Sequence, residues 1–400
     1  MKNNITQAVI FAGGYGKRLA PFTDTNPKPM YPIEGKPYVE HLILQIKSFG
    51  ISEVVMLLGY LPEKIMDYLG DGSRYQMTFH YVVTDVECET EKRILAAKDI
   101  IRENFLMMYC DNYCPIDYER LVDDYFTNDA LIQITAYANR DGYTKNNLKI
   151  AESGQVINYD KKRLSEGLQG VDIGYAIINK SVLDLTDDEN NNFEAIVYPQ
   201  VVSQGRMYAT VTEHRYYSIG SFERIELTKA FFKNQKFVFL DRDGTLNVRP
   251  PKACYVEKPE DFIWLDGARE AVKKLNDNDY LVILISNQPG IARGNLTEET
   301  LEDIHEKMSR DLADAGAHID AIYYCPHNWD DGCFCRKPKP GMLYMAQRDY
   351  SLNLTKGFLI GDDERDIEAG ESARVKSILV NDEYTVLDAV NDIVDGRIKW

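Results

Sequence analysis

Residues 236–246 read KFVFLDRDGTL, an apolar run that leads directly into Asp241 and Asp243. Such a run is typical of a buried strand, and carboxylates just past its end lie where open α/β sheets place their active sites. An ionised aspartate can attack phosphorus if cations neutralise the phosphoryl oxygens, and a second carboxylate can protonate the leaving oxygen. The stretch therefore predicts phosphoryl chemistry on an α/β sheet, although by itself DxDGT also fits a turn closed by an Asx hydrogen bond.

Two later segments favour phosphate chemistry over a simple turn. After the next long apolar run come Ser286, Asn287 and Gln288, whose polar groups can hold phosphate oxygens. After GFLI comes the carboxylate cluster of residues 361–366, GDDERD, which suits the oxygen preference of Mg²⁺. Between these two segments, Lys337 supplies a cation.

In this order, DRDGT, SNQ, a lysine and GDDERD resemble the haloacid dehalogenase superfamily of phosphohydrolases, over essentially residues 236–400. The resemblance implies a HAD-like Rossmannoid domain with Asp241 as nucleophile and Asp243 as general acid. The implied phosphate binders are Ser286 and Lys337, and the implied Mg²⁺ ligands are Asp241, the Asp243 carbonyl and Asp362.

Four side chains in residues 325–335 combine three thiols and an imidazole: Cys325, His327, Cys333 and Cys335. This set suits tetrahedral zinc with no open position, which is a structural rather than a catalytic site. Buried cysteines with an incidental histidine are the alternative. Because Cys335 directly precedes Arg336 and Lys337, we expect zinc to order these phosphate-binding cations.

The zinc loop together with SNQPGIARG (286–294) and CRKPKPGM (335–342) resembles the heptose 1,7-bisphosphate 7-phosphatases. Histidinol-phosphate phosphatases share the zinc loop, but the GIARG segment fits the heptose enzymes better. The resemblance implies that Asn287 and Arg336 contact the substrate.

A second phosphate-binding pattern follows the apolar run QAVIFA, where residues 13–19 read GGYGKRL. Leu19 stands where GxGxxG needs its third glycine, and Arg18 after Lys17 excludes a P-loop. Close backbone approach together with several cations suits a nucleoside triphosphate, although a glycine turn with solvated basic residues is the plainer interpretation. The candidate binding residues are Gly13, Gly14, Gly16 and Lys17, and the candidate catalytic cations are Arg18 and Lys28.

The longer stretch GGYGKRLAPFTDTNPKPMYPI (13–33) closely resembles the signature of sugar-1-phosphate nucleotidyltransferases, and the resemblance covers about residues 5–232. It implies a Rossmann-like domain with a mixed sheet. It also implies in-line attack by a sugar-1-phosphate on the α-phosphorus of the nucleotide, with pyrophosphate leaving under Mg²⁺. The residues implied are Asp111 for Mg²⁺, and Asp160, Lys161 and Asp172 for the sugar phosphate.

Three positions depart from that family. Thr90-Glu91-Lys92-Arg93 stands in place of a glycine-rich segment near the base, Cys110 replaces a glycine, and Ser218 replaces the usual second metal aspartate. A neutral hydroxyl is a poorer Mg²⁺ ligand than a carboxylate. Either metal binding relies on Asp111 and the phosphates, or this half is slow or inactive.

Four hundred residues are too many for one ordinary core, and the α/β alternation restarts after KNQK at 233–236, so we expect domains 1–233 and 234–400. Predicted strands cover 7–12, 54–60, 105–110, 236–240, 280–286 and 357–361, and predicted helices cover 38–49, 91–103, 267–277 and 297–315. The alternation favours mainly parallel sheets.

The composition narrows the classes of function. A formal charge of −17 argues against sequence-independent nucleic-acid binding. The sequence has no apolar run of membrane length, and MKNNITQAVIFAGG reaches glycines before a signal-like segment can form. An odd count of seven cysteines favours reduced thiols and metal over a disulfide framework. We therefore expect a cytoplasmic protein that binds sugar phosphates and a nucleoside triphosphate.

Taken together, the two resemblances predict consecutive steps of sugar-nucleotide synthesis: removal of the 7-phosphate from heptose 1,7-bisphosphate, then nucleotide transfer to heptose 1-phosphate. Resemblance to the guanylyltransferases of the heptose route implies GTP and a GDP-heptose product. Two alternatives remain. One is an active phosphatase, of heptose bisphosphate or histidinol-phosphate type, with a degenerate, binding-only transferase half. The other is a non-enzymatic scaffold, which has no need of both Asp241 and Asp243.

Overall fold

The apolar runs of the N-terminal half form a seven-stranded sheet in the computed structural model, which describes residues 5–187, 189–252 and 254–400. The strands, in chain order, are β1 Gln7–Ala12, β2 Glu53–Leu58, β3 Thr78–Val83, β4 Asn104–Tyr109, β5 Ile132–Tyr137, β6 Val171–Asn179 and β7 Met207–Thr212. Their order across the sheet is β7-β5-β6-β4-β1-β2-β3. β6 runs antiparallel to both β4 and β5, and the other neighbours are parallel. The expected mixed sheet is confirmed.

Helices cover both faces of this sheet because its strands are apolar on both sides. In β1, Ala8 and Ile10 belong to one buried cluster, and Val9 and Phe11 belong to the other. The helices are α1 Tyr38–Ser48, α2 Pro62–Leu69, α3 Thr90–Ala96, α4 Tyr118–Thr127, α5 Phe193–Ser203 and α6 Phe222–Phe232. Short strands pair beside the sheet: Pro32–Ile33 with Lys36–Pro37, Asn112–Tyr113 with Tyr217–Ser218, and Leu148–Ile150 with Val156–Tyr159.

The helix expected over 91–103 is shorter in the structure. α3 ends at Ala96, and a 3-10 turn at Lys98–Ile100 follows before β4 begins at Asn104. Arg102 donates its backbone N–H to the buried side chain of Gln7, which ties this connection to the start of β1. The chain leaves the helix early because it must turn to enter β4 beside β1.

The C-terminal half forms a five-stranded sheet that is parallel throughout, in the order β10-β9-β8-β11-β12. Its strands are β8 Phe237–Leu240, β9 Leu281–Asn287, β10 Ala321–Cys325, β11 Phe358–Gly361 and β12 Lys376–Leu379. Its helices are α7 Ala268–Asp277, α8 Glu298–Asp314, α9 Gly341–Tyr350, α10 Glu364–Ser372 and α11 Val386–Val394. By contacts between Cα atoms, one unit of the chain ends at Phe232 and the next begins at Lys233.

Parallel pairing determines where the polar segments emerge. β8, β9, β10 and β11 all end at the same edge of the sheet, so the residues after these strands lie next to one another. Asn287 and Cys325 are direct register partners at the ends of β9 and β10. Among the described residues, no helix has the length and apolar character needed to cross a membrane.

We expect the fully buried Ile360 of β11 to be a principal contributor to the stability of the C-terminal unit. Ile360→Ala should lower its free energy of unfolding by roughly 2–5 kcal/mol, because it removes apolar contacts and leaves a cavity. Ile263→Ala, at a side chain 59% exposed, is the matched control and should change it by less than about 0.5 kcal/mol. All three tryptophans lie in this unit, so tryptophan fluorescence in urea reports its unfolding. Equal effects of the two substitutions would contradict the assigned core.

Candidate active sites

Three carboxylates converge at the carboxyl edge of the C-terminal sheet. One oxygen each of Asp241, Asp362 and Asp366 lies within 4.8 Å of the others. Lys337, which is 4% exposed, places its Nζ 2.6 Å from Asp241 Oδ1 and 2.5 Å from Asp366 Oδ1. Asp366 is oriented by a capping box at the start of α10, where its Oδ2 accepts the backbone N–H of Asp363.

The charge balance of this cluster fits a divalent cation. Burial, together with the nearby Asp366, raises the pKa of Asp241 to about 7 against the opposing effect of Lys337. Burial also raises the pKa of Asp362 to about 6. Asp362 Oδ1 is buried without a hydrogen-bond partner among the described residues. Crowded carboxylates with an unpartnered oxygen are the hard ligands that Mg²⁺ prefers, so the residues present fit this ion.

The second aspartate of DRDGT is held apart from this cluster. Asp243 accepts hydrogen bonds from the guanidinium of the fully buried Arg242, from Asn247 Nδ2 at 3.0 Å and from Gln288 Nε2 at 3.1 Å. Burial alone would raise the pKa of Asp243, but Arg242 and these bonds outweigh burial and lower it. Two aspartates separated by one residue therefore have different environments, which allows them different roles.

Gly244 permits this geometry. It has a φ of +99°, and a Cβ at this position would lie 1.8 Å from Asp362 Oδ2. The turn after Asp243 and the carboxylate of Asp362 therefore occupy adjoining space that a side chain would fill.

Two amide side chains of the SNQ segment have hydrogen-bond partners within the protein. Asn287 uses both ends of its amide on Lys337, accepting from its N–H and donating to its carbonyl, each at 3.0 Å. Gln288 is buried and donates to Ser286 Oγ at 2.7 Å as well as to Asp243. Asn287 thus positions the lysine and Gln288 positions the general-acid candidate, and phosphate binding by this segment stays a prediction.

A cleft of about 540 Å³ opens beside these residues, and Asp241, Asp243, Ser286, Asn287 and Lys337 contribute to its walls. Sequence reasoning anticipated Arg336 there but missed four further cations, which are Arg249, Lys252, Arg293 and Arg365. It also missed the partners of the two aspartates, which are Arg242, Asn247 and Asp366. In the sequence, the signal for these missed cations was the pair of basic residues in 249–252, together with Arg365 inside the carboxylate cluster GDDERD.

The expected zinc group comes together at the end of β10. One ligand atom each of Cys325, His327, Cys333 and Cys335 lies within 4.8 Å of the others. Cys325 Sγ is 3.6 Å from Cys333 Sγ and 3.3 Å from Cys335 Sγ, and Cys335 Sγ is 3.3 Å from His327 Nδ1. Three thiols and an imidazole nitrogen at these separations fit tetrahedral coordination. Arg336 Nη1 donates to the His327 carbonyl, so the cation is tied to the same loop.

The N-terminal half has its own cleft of about 540 Å³ at the corresponding edge of its sheet. One wall is the glycine turn with its cations, and the opposite wall is residues 86–90 with Arg93. Lys28 Nζ lies 2.6 Å from Asp111 Oδ2. Gly16 has a φ of +67°, and a Cβ there would lie 2.8 Å from that of Lys28. Gly13, Gly14, Gly16, Lys17, Arg18, Lys28 and Asp111 therefore line one space.

Ser218 does lie beside Asp111. Its short strand pairs Ser218 with Asn112, and Ile219 donates its N–H to the Asp111 carbonyl at 3.1 Å. Among the described residues of this unit, no group of three potential metal ligands comes together. Burial raises the pKa of Cys110 to about 12, so its thiol is uncharged at neutral pH. Asp111 is thus the carboxylate that the expected Mg²⁺ site retains.

The residues expected for the sugar phosphate divide into two groups. Asp160 accepts four backbone N–H groups of residues 162–165 and so closes a loop, which occupies its carboxylate. Lys161 instead pairs with Glu194, a buried carboxylate that sequence reasoning missed. Burial and the nearby Glu194 raise the pKa of Asp172 to about 7. Lys161, Asp172 and Glu194 therefore form one polar cluster, and the contact of Asp160 with the sugar stays a prediction.

Comparison with known proteins gives a family for each half of the chain. A family model described as nucleotidyl transferase matches residues 7–231, more than half of the chain. The chain belongs to the nucleotidyl transferase family. A putative glucose-1-phosphate thymidylyltransferase from Bacillus anthracis, solved in complex with a sucrose, has a TM-score of 0.50 at 16% identity and covers 56% of this chain and 94% of that one. That likeness concerns the fold alone.

The C-terminal half has relatives at higher identity. A model described as polynucleotide kinase 3 phosphatase matches residues 236–377. The D-glycero-beta-D-manno-heptose-1,7-bisphosphate 7-phosphatase of Pasteurella multocida (strain Pm70) is 40% identical over 152 residues, 36% of this chain and 81% of the relative. That of Photorhabdus laumondii subsp. laumondii is 44% identical over 145 residues, 34% and 76% respectively. This half belongs to that phosphatase family, so the chain is an enzyme that joins a nucleotidyltransferase half to a phosphatase half.

The zinc group gives a prediction for the phosphatase half. Cys333→Ser should lose bound zinc, and phosphate release should fall by about a hundredfold because Arg336 and Lys337 lose their fixed positions. Elemental analysis and a phosphate assay on the same preparation measure both effects.

Cys88→Ser, in the other half of the chain, is the control and should keep zinc and phosphate release. Full phosphate release from a zinc-free Cys333→Ser protein would refute the ordering role.

Proposed function

We propose that the chain performs two consecutive steps in the cytoplasm, with the phosphatase in residues 234–400 and the transferase in residues 1–233. The first is Mg²⁺-dependent hydrolysis of the 7-phosphate of heptose 1,7-bisphosphate through an aspartyl-phosphate. The second is transfer of GMP from GTP to heptose 1-phosphate with release of pyrophosphate. The observation that carries the proposal is the separation of Asp241, beside Lys337 and the carboxylates, from Asp243, held by Arg242.

In the first step, an Asp241 carboxylate oxygen forms a bond to phosphorus as the bond from phosphorus to the C7 oxygen breaks. Because the pKa of Asp243 is lowered, the proton for the leaving oxygen comes from the phosphate monoester, whose second pKa is about 6, and Asp243 relays it to that oxygen. A water then attacks the phosphorus, its proton passes to Asp243, and the acyl-phosphate bond breaks to release phosphate. A divalent cation held by Asp241, Asp362 and the Asp243 carbonyl would neutralise the phosphoryl oxygens. Lys337 supplies a fixed charge beside the nucleophile.

In the second step, a phosphate oxygen of the sugar 1-phosphate attacks the α-phosphorus, and the bond to the bridging oxygen of pyrophosphate breaks. Lys17, Arg18 and Lys28 stabilise the charge that develops on the phosphates. Lys161 neutralises the sugar phosphate, and Asp172 and Glu194 accept hydrogen bonds from sugar hydroxyls. A Mg²⁺ ion at Asp111 would add charge neutralisation.

Fusion of the two steps is chemically coherent because the product of the first is the substrate of the second. The relatives' names support a heptose bisphosphate for the phosphatase half. The resemblance of the transferase half to heptose 1-phosphate guanylyltransferases supports GTP. A second candidate is a phosphatase with a binding-only transferase half, and the loss of a metal carboxylate at Ser218 favours it.

Asp241 is the position on which the phosphatase mechanism depends. Asp241→Asn should reduce phosphate release by about a thousandfold or more, because an amide is not a nucleophile toward phosphorus. Asp303→Asn, at an exposed position of α8, is the matched control and should behave as the unsubstituted protein. Comparable phosphate release from Asp241→Asn would remove Asp241 as nucleophile.

A paired assay tests the whole proposal. The full chain with Mg²⁺ and either anomer of heptose 1,7-bisphosphate should release phosphate, and it should release pyrophosphate when GTP is present. Lys28→Ala should lower pyrophosphate release by about a hundredfold while phosphate release is unchanged. Phosphate without pyrophosphate for all four common triphosphates would establish the second candidate, and Ser218→Asp would be the first restoration to make.

A further inference from the structure

Arg93 is one of the side chains that we expect where backbone normally approaches the nucleotide. It belongs to α3, within the segment that replaces the family's glycine-rich stretch. Two neighbours in that segment turn elsewhere: Lys92 is exposed, and Glu91 is buried with its Oε1 accepting the N–H of Asp187. Arg93 points back toward the sheet and lines the cleft, although it is 4% exposed.

Its guanidinium connects the ends of three parallel strands. Nη1 donates to the Leu58 carbonyl of β2 at 2.9 Å and to Thr84 Oγ1, just after β3, at 2.7 Å. Nη2 donates to the Gly13 carbonyl, just after β1, at 3.3 Å and to the Val86 carbonyl at 2.9 Å. The glycine turn on one side of the cleft is therefore braced from the opposite side by this one side chain.

Two glycines leave room for the guanidinium. A Cβ at Gly13 would lie 2.2 Å from Arg93 Nη1, and a Cβ at Gly59 would lie 2.5 Å from the same atom. Because guanidinium nitrogens cannot move without breaking four hydrogen bonds, a side chain at either glycine would displace the brace. The absence of a side chain at Gly13 and Gly59 is therefore what gives the guanidinium of Arg93 its space.

The positive charge of Arg93 has no paired anion. All four of its hydrogen-bond acceptors are neutral, and no carboxylate of the described residues lies within ion-pair distance. Cys88, Glu89 and Asp85 act on it from the segment before the helix without a hydrogen bond between their side chains and its guanidinium, while Glu87 accepts from Tyr15. Burial lowers the pKa of Arg93, yet a guanidinium remains charged at neutral pH. A buried unpaired charge is costly, and a polyanion in the adjoining cleft would offset that cost.

We propose that Arg93 is a positioning residue for the nucleoside triphosphate, which fixes the Gly13–Gly14 turn and supplies a buried charge that the triphosphate neutralises. This inference deepens the proposed transferase and rests on it. In this chain a charged side chain takes the place of the close backbone approach that a glycine-rich segment provides. Triphosphate binding then depends on the charge at position 93, and binding of the uncharged nucleoside does not.

The test compares three probes on the full chain with Mg²⁺: GTP, inorganic tripolyphosphate and guanosine. Arg93→Gln should lower the affinity for GTP and for tripolyphosphate by about tenfold or more. The reason is that a buried positive charge attracts phosphates over several ångströms in a medium of intermediate dielectric. Guanosine binding should stay within about twofold. Arg93→Lys keeps the charge, and its affinity for each probe should stay within about threefold of that of the unsubstituted protein.

Lys92→Gln removes the same charge one residue away and is the matched control, with no change expected. If Arg93→Gln does not fold, as judged by its unfolding midpoint, Arg93→Met takes its place in the comparison.

Equal loss of guanosine and polyphosphate binding would show a merely structural role and overturn the inference. Equal loss of polyphosphate binding in the Lys and Gln variants would overturn it as well. Unchanged polyphosphate binding by Arg93→Gln would overturn it while leaving the proposed transferase intact. If the unsubstituted protein binds neither polyphosphate probe, the inference about Arg93 and the proposed transferase function are both overturned.

Discussion

In both halves, neighbouring parallel strands end at one edge of a sheet, and the chemically important side chains follow those ends. Asp241 follows β8, Asp362 follows β11, and Ser286 and Asn287 close β9. Gly13 and Asp111 stand in the same relation to β1 and β4. Parallel register is what converts residues far apart in the chain into a single site, since the strands deliver their next residues to a common edge. Disturbing that register would separate every pair on which the chemistry depends.

At that edge of the C-terminal sheet, buried cations give each carboxylate a different electrostatic environment. Lys337 pairs with Asp241 and Asp366, while Arg242 pairs with Asp243, so the proposed nucleophile and the proposed proton carrier have different partners although they are two residues apart. The cysteine–histidine group contributes indirectly, because Cys335 is separated from Lys337 by one residue. Asn287 holds the lysine backbone from the neighbouring strand. The lysine is thus fixed from two sides before any substrate arrives.

The cleft of the transferase half also places cations beside a carboxylate, but it has fewer carboxylates that could hold a metal ion. Asp111 is already paired with Lys28, and Ser218 beside it offers a hydroxyl where the family has a second aspartate. The opposite wall carries Arg93, whose charge is unpaired. Relative to the family pattern, this half therefore lacks one carboxylate at Ser218, and its cleft gains the cation of Arg93.

The sequence by itself determined the α/β class, the two phosphate-binding patterns and which three cysteines and one histidine come together. These features are local: an apolar run, a glycine turn, or ligands within eleven positions, and local spacing can be read directly. Only the tertiary structure decided which partner each polar side chain takes. Gln288 donates to Asp243, 45 residues away, and Asp160 accepts N–H groups of its own loop. Glu194 pairs with Lys161, and Arg93 lines its cleft from a helix. Such choices follow from packing and from the need to pair buried polar groups, and no local pattern records them.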